Sequence, residues 1–256
     1  MTVPDSLIVD RLRAGGCVFA ADEARLLMSA ARTPAELDAM VSQRAAGLPL
    51  EQVVGWAEFC GLRIIVAPGV FVPRRRTEFL VRQAMAVARP GSVIVDLCCG
   101  AGAIGAALAA AVDRAEVHAA DMDPAAIRCA RQNLPGGHVY QGDLYAPLPA
   151  GLRGRVAVLA ANVPYVPSEE IGFLPPEARA HEPRAALDGS ADGLDVLRRV
   201  AAGATGWLAP GGHLLSEISE RQAPQAEAAL AAGGLAARVV SSADLDATVV
   251  IGRRLA

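Results

Sequence analysis

The chain has 256 residues and no lysine: its 24 basic residues are all arginine, set against 27 acids for a net charge of −3. A protein that grips nucleic acid by its phosphates carries a basic surplus. Aromatic residues, on which single strands stack, amount to only 4%. Strong nucleic-acid binding is therefore not expected. Long apolar runs are missing as well. The longest stretches without Asp, Glu or Arg, Leu97 to Val112 and Val200 to Ser216, fall short of the roughly 20 residues that span a bilayer. No charged-then-apolar leader opens the chain, so the expected location is the cytoplasm, with no membrane partner. The five cysteines (Cys17, Cys60, Cys98, Cys99, Cys129) form no CxxC pair and no His/Cys ligand spacing. They read as reduced packing residues, and no metal is expected.

What is present centres on Val93 to Asp123. An apolar β-branched run, Val93, Ile94 and Val95, ends at Asp96. A turn with Gly100, Gly102 and Gly105 follows, and an alanine-rich segment reads as a helix to about Val112. A second strand, Val117 to Ala120, ends at Asp121, which lies 21 residues after Gly100. That spacing suits a mononucleotide-binding βαβ unit, in which the second acid takes ribose hydroxyls. The glycine pattern fits two ligands, and Asp96 separates them. A pyrophosphate held about 4 Å from a carboxylate would cost on the order of 4 kcal/mol at an effective dielectric near 20. S-adenosylmethionine has no phosphate and carries an ammonium and a sulfonium, so the sign of Asp96 favours it. Cys98 and Cys99 read as a compact wall of the turn.

The first 50 residues read as short helices without chemistry. Thr33, Pro34 and Glu36 form a capping box with proline at the first helical position. Two β-rich runs follow, Phe59 to Val66 and Val70 to Val72, separated by Pro68 and Gly69 as in a hairpin or a pair of linked strands. Arg74, Arg75 and Arg76 are either a solvated turn or an anion or substrate contact. A helix is expected over Phe79 to Val87, and from Val93 onward strands and helices alternate, which implies a mostly parallel sheet with helices on both faces. Helices are expected from Asp123 to Asn133, from Ser190 or Asp192 to Ala204, and from Glu220 to Ala232. Strands are expected at Val139 to Gln141, Val156 to Ala161, His213 to Ile218, Ala236 to Ser241 and Thr248 to Gly252.

Candidate site residues fall at strand ends. Asp143 is placed to accept the exocyclic amine of an adenine with Leu144 against the ring, or else is a surface turn. Asn162, Val163, Pro164 and Tyr165 follow the fourth strand of the sheet and should face the glycine turn. They offer an amide oxygen, a backbone carbonyl, a rigid donor-free residue and a flat ring. Two acceptors beside an aromatic plane suit a planar NH2 group, as in a carboxamide or a nucleobase.

Four stretches in order resemble the HemK/PrmC protein-(glutamine-N5) methyltransferases: GWAEFCGLRIIVAPGVFVPRRRTE from Gly55, DLCCGAG from Asp96, NVPY from Asn162 and HEPRAALDGSADGLDVLRR from His181. The amino-terminal helices match in kind and size only. The resemblance implies a class I, Rossmann-like α/β fold with a mostly parallel seven-stranded sheet. It implies a helical substrate-recognition domain over 1–50, a β-hairpin linker over 51–78 and a methyltransferase domain over 79–256. Cys98, Cys99, Gly100, Ala101 and Gly102 would surround the methionine part of S-adenosylmethionine. Asp121 would take the ribose with Met122 beside it, Leu144 would border the adenine, and Asn162 would touch both donor and acceptor. Asn162 to Tyr165 would hold the glutamine of the GGQ motif of a peptide-chain release factor. A monomer is expected.

Two departures stand out. Family members carry NPPY where this chain has Val163, which keeps the carbonyl and loosens the loop. They carry PRPETE where this chain has PRRRTE, which removes an acid and adds positive charge. A different protein substrate, an N6-adenine-type acceptor, or a catalytically silent binding protein therefore remain alternatives. Glu182 and Asp188 read as structural, bracing the NVPY loop, and His181 and His213 as surface or packing residues.

Overall fold

The computed structural model describes residues 5–255. Helices α1 (Asp5–Ala14), α2 (Ala20–Ala30), α3 (Pro34–Ala45) and α4 (Leu50–Val54) open it. The expected cap forms: the Thr33 hydroxyl accepts the Glu36 N–H at 3.1 Å, with Pro34 in the first turn of α3. Apolar faces of these helices meet in a small core of Ile8, Leu12, Leu27, Met40 and Val41, where burial of each large side chain stabilises by roughly 1.5–3 kcal/mol.

A hairpin follows, with strands β1 (Trp56–Phe59) and β2 (Leu62–Ile65). Its turn is Cys60–Gly61, not the expected Pro68 and Gly69. Both turn residues have positive φ, 50° and 73°, the conformation that matches the twist of a two-residue hairpin. Val70 to Val72 form no strand. Val70 and Val72 are buried, and side chains take their backbone groups: Gln52 donates to the Val70 carbonyl at 3.0 Å and Glu182 accepts the Val72 N–H at 3.2 Å.

Thereafter come α5 (Glu78–Val87), β3 (Val93–Leu97), α6 (Ala103–Ala111), β4 (Glu116–Asp121), α7 (Pro124–Asn133), β5 (His138–Gln141), β6 (Val156–Ala161), α8 (Pro176–His181), α9 (Asp195–Trp207), β7 (Leu208–Ile218), α10 (Ala223–Ala232), β8 (Leu235–Ser242) and β9 (Ala247–Arg254). The helix after Asp192 starts at Asp195, later than expected, because the Asp192 carboxylate takes the Leu194 N–H at 3.1 Å and turns the chain first. Seven strands form one sheet in the order β5-β4-β3-β6-β7-β9-β8. The first four pairings are parallel and the two involving β9 antiparallel. Helices cover both faces over two apolar cores, and Phe59, Ile64, Val66 and Val72 join the one that holds α5 and α6. Among the described residues no helix is long and apolar enough to cross a membrane.

Candidate active site

Strand β3 lies between β4 and β6, so the direction of the crossovers reverses there, and a crevice opens beyond the carboxyl ends of these strands. A cavity of about 820 Å³ occupies it. Cys98, Cys99, Gly100 and Ala101 after β3, Asp121 and Met122 after β4, Asp143 and Leu144 after β5, and Asn162 to Tyr165 after β6 all lie on its wall.

Two expected wall residues are absent from it. Asp96 is fully buried and shares its sheet face with Ile94, where its Oδ2 accepts the Gly105 N–H at 2.9 Å under the first turn of α6. Burial pushes its carboxyl up to about 7, against the opposing pull of that hydrogen bond. Asp96 therefore braces the loop through Oδ2, while its Oδ1 is buried without a hydrogen-bond partner. Gly102 likewise faces away: at φ 79° its Cβ would stand 3.0 Å from Ala130 Cβ, so glycine lets the loop pack on α7.

Asp121 does stand on the wall. Its two oxygens accept the backbone N–H groups of Gly100 at 2.8 Å and Asp123 at 2.9 Å, and burial raises its pKa. The acid thus clamps the glycine loop to the end of β4. Burial also drives the Cys98 and Cys99 thiols upward, in keeping with packing residues. Asp143 Oδ2 is taken by Arg199 at 2.5 Å, a partner the sequence did not suggest, so one carboxylate oxygen of the expected adenine contact is already engaged.

The NVPY loop is held from several sides. Val163 is 2% exposed and packs in the sheet core, so apolar burial restrains the loop where a proline ring was expected to be missed. Gln222 Nε2 donates to the Tyr165 carbonyl at 2.8 Å. The Tyr165 hydroxyl donates to Glu217 Oε1 at 2.8 Å, and burial raises its pKa. Beyond Tyr165, Val166 bridges to Asp188, whose carboxylate accepts from Ser168, Ser190 and Arg184. Asp188 is structural as expected. Glu182 is structural too, but it braces residues 72–74 rather than the NVPY loop itself. Asn162 donates Nδ2 to the Thr77 hydroxyl at 3.3 Å, and its Oδ1 is buried without a hydrogen-bond partner. A buried acceptor left unpaired is costly, and this one belongs to a residue of the cavity wall.

The solvated-turn reading of the arginine run fits exposed Arg75 but not its two neighbours. Arg74 pairs with Glu182 at 2.6 Å and Arg76 with Glu217 at 2.9 Å, both carboxylates being buried. Arg74, Arg76 and Arg199 are the arginines on the wall, and among the described residues each has a carboxylate partner. No cation of the wall is left over for a pyrophosphate, while Asp121 and Asp123 border the space with no arginine partner among the described residues. Charge along the wall therefore favours a cationic donor. Thr77, Glu217, Gln222 and Arg199 were missed because no local pattern marks them.

A family model described as Methyltransferase small domain matches residues 61–166. The release factor glutamine methyltransferase of Streptomyces coelicolor is 41% identical over 192 residues, which are 73% of this chain and 68% of that one. The protein of the same name from Cereibacter sphaeroides is 36% identical over 262 residues, 93% of this chain and 92% of that one. A 4-amino-L-phenylalanine/4-methylamino-L-phenylalanine methyltransferase of Streptomyces pristinaespiralis is 38% identical over 205 residues, 76% and 69%. A crystal structure of a methyltransferase from Pyrococcus furiosus superposes with a TM-score of 0.58 at 16% identity, covering 77% of this chain and 90% of that one, a likeness of fold. With a relative aligned along nearly its whole length, the chain belongs to the release factor glutamine methyltransferase family, enzymes that take their methyl group from S-adenosylmethionine.

Proposed function

We propose that this chain methylates the side-chain amide nitrogen of a glutamine in a protein, and that the protein is a peptide-chain release factor carrying the GGQ motif. The observation that supports this best is that Asn162, a residue of the cavity wall, carries a buried Oδ1 with no hydrogen-bond partner. It needs an N–H donor, and a carboxamide NH2 supplies two, one for Oδ1 and one for the Val163 carbonyl. S-adenosylmethionine, when bound, supplies an electrophilic methyl group on a sulfonium; Gly100, Asp121, Asp143, Leu144 and Asn162 are the residues we assign to holding it.

An amide nitrogen is a poor nucleophile because its lone pair is delocalised. Two acceptors on its N–H groups raise its electron density and fix its orientation, and positioning of this kind is worth roughly 7–11 kcal/mol of barrier. General-base help contributes about 10²- to 10⁴-fold, so the reading does not require the amide to be ionised first: the N–CH3 bond forms as the S–CH3 bond breaks, the sulfonium leaves as a thioether, and the nitrogen then gives up one proton to water. The helices of residues 1–50 are assigned to recognition of the protein substrate, residues 51–78 to the link, and 79–256 to the reaction, in the cytoplasm.

The relative that acts on an aromatic amine supports a second reading, since an arylamine also presents a planar NH2. One experiment separates them. The enzyme and methyl donor are incubated with a release factor or with 4-amino-phenylalanine, and the products are analysed by mass spectrometry. A single methyl gain on the GGQ glutamine is the expected result. Methyl gain on the free amine alone overturns the glutamine reading.

A further inference from the structure

Glu217, at the end of β7, is 2% exposed and does not line the cavity, yet three donors converge on it. Oε1 accepts from Arg76 Nε at 2.9 Å and from the Tyr165 hydroxyl at 2.8 Å, and Oε2 accepts from the Thr77 hydroxyl at 2.6 Å. Resting on the glutamine reading above, we propose that Glu217 and Thr77 are positioning residues that decide which end of the Asn162 amide faces the cavity, and thereby make the site select an amide over a carboxylate.

An ionised carboxylate only accepts hydrogen bonds, so the single proton of the Thr77 hydroxyl is committed to Glu217. The Thr77 oxygen then has only lone pairs to offer to its other neighbour, the Asn162 amide 3.3 Å away. That neighbour must present NH2, because a carbonyl oxygen there would set two acceptors face to face. The amide is planar, with its oxygen opposite its nitrogen, so Oδ1 is held away from Thr77, buried and unpartnered on a residue of the cavity wall. Reversal of this one amide would put NH2 where the unpartnered acceptor now stands and favour a carbonyl or carboxylate in place of an N–H donor. Arg76 pairs with the same carboxylate, whose two oxygens thus accept from all three donors. Sequence separation explains why no motif reveals the relay: Thr77 lies 140 positions from Glu217 and 85 from Asn162.

The test uses the full-length enzyme, methyl donor and release factor, with a second release factor bearing glutamate at the target position as competitor. Thr77→Ser keeps the hydroxyl and is expected to retain wild-type kcat. Thr77→Val and Glu217→Gln are each expected to lower kcat by about tenfold or more, the scale of one lost hydrogen bond to a buried group, with the KM for donor unchanged. In Glu217→Gln the new amide donates to the Thr77 oxygen, freeing the hydroxyl to donate to Asn162. The glutamate protein should then compete better against the glutamine protein than it does with wild type. Loss of kcat in both variants without any change in that preference overturns the proposal, as does wild-type kcat in both. If Glu217→Gln fails to fold by thermal melting, Thr77→Val decides through the same two measurements: its preference must weaken, or the proposal falls. A wild-type enzyme that leaves the release factor unmodified overturns the glutamine reading and this inference with it. An active wild type matched by its variants overturns this inference alone.

Discussion

Arg44 of α3 and Glu177 of α8 meet at 2.8 Å across 133 positions of the chain, which ties the amino-terminal helices to the rim of the cavity. The same guanidinium holds Glu23 of α2 at 2.6 Å, with both side chains about a tenth exposed.

The two halves of that contact should differ in strength. Arg44→Met strands the buried Glu23 carboxylate and is expected to destabilise the fold by about 3 kcal/mol. Glu177→Gln, at a side chain 44% exposed, should cost less than about 1 kcal/mol. Urea unfolding followed by circular dichroism gives both values.

Asn162→Ala removes the unpaired acceptor and leaves the glycine loop and Asp121 in place. Donor binding measured by calorimetry should persist through Gly100, Asp121, Asp143 and Leu144 with at most a small loss, while methyl transfer falls by about a hundredfold or more. Unchanged turnover would end the role assigned to Asn162.

The two loop glycines should fail in different ways. At Gly102 an added Cβ meets Ala130 at 3.0 Å and the φ is 79°, so Gly102→Ala is expected to cost about 2–4 kcal/mol of stability through overpacking and backbone strain together. At Gly100 an added Cβ meets nothing within 4 Å and only the left-handed φ of 53° is unfavourable. Gly100→Ala should cost about 1–2 kcal/mol and show its larger effect in donor affinity. Thermal melts with and without donor distinguish the two.

Asp96 makes stability depend on pH. Its folded pKa, about 7, lies above the ordinary 3.8. Below about pH 4 the group is protonated whether the chain is folded or not. As pH rises the unfolded chain ionises first, so stability fully present at low pH is lost through about pH 7 and stays lost above it. Asp96→Asn removes this titration. The stability of wild type relative to the variant should therefore fall from about pH 4 to 7 and then level off, as urea unfolding across that range would show.

Much of the site was legible because its chemistry is local. Val93 to Asp123 spelled strand, glycine loop, helix, strand and acid, and the structure brings Cys98 to Ala101 and Asp121 together with Asn162 to Tyr165. The cap at Thr33 and the strand before Asn162 were equally readable, since caps and apolar periods are properties of neighbouring residues. The inward turn of Asp96 was not. A carboxylate at a strand end is named by sequence, but the face it takes depends on which helix packs above it.

By itself, then, the sequence determined the order of elements, the glycine loop with its second acid, and the NVPY turn, because each depends on residues a few positions apart. Only the tertiary structure decided the partners that give those residues their direction. Arg74 reaches Glu182 over 108 positions, Arg199 reaches Asp143 over 56, and Thr77 stands between Glu217 and Asn162. Such pairs form where strand order folds distant segments onto one sheet edge, and a buried hydrogen bond leaves no trace in the spacing of the chain that makes it.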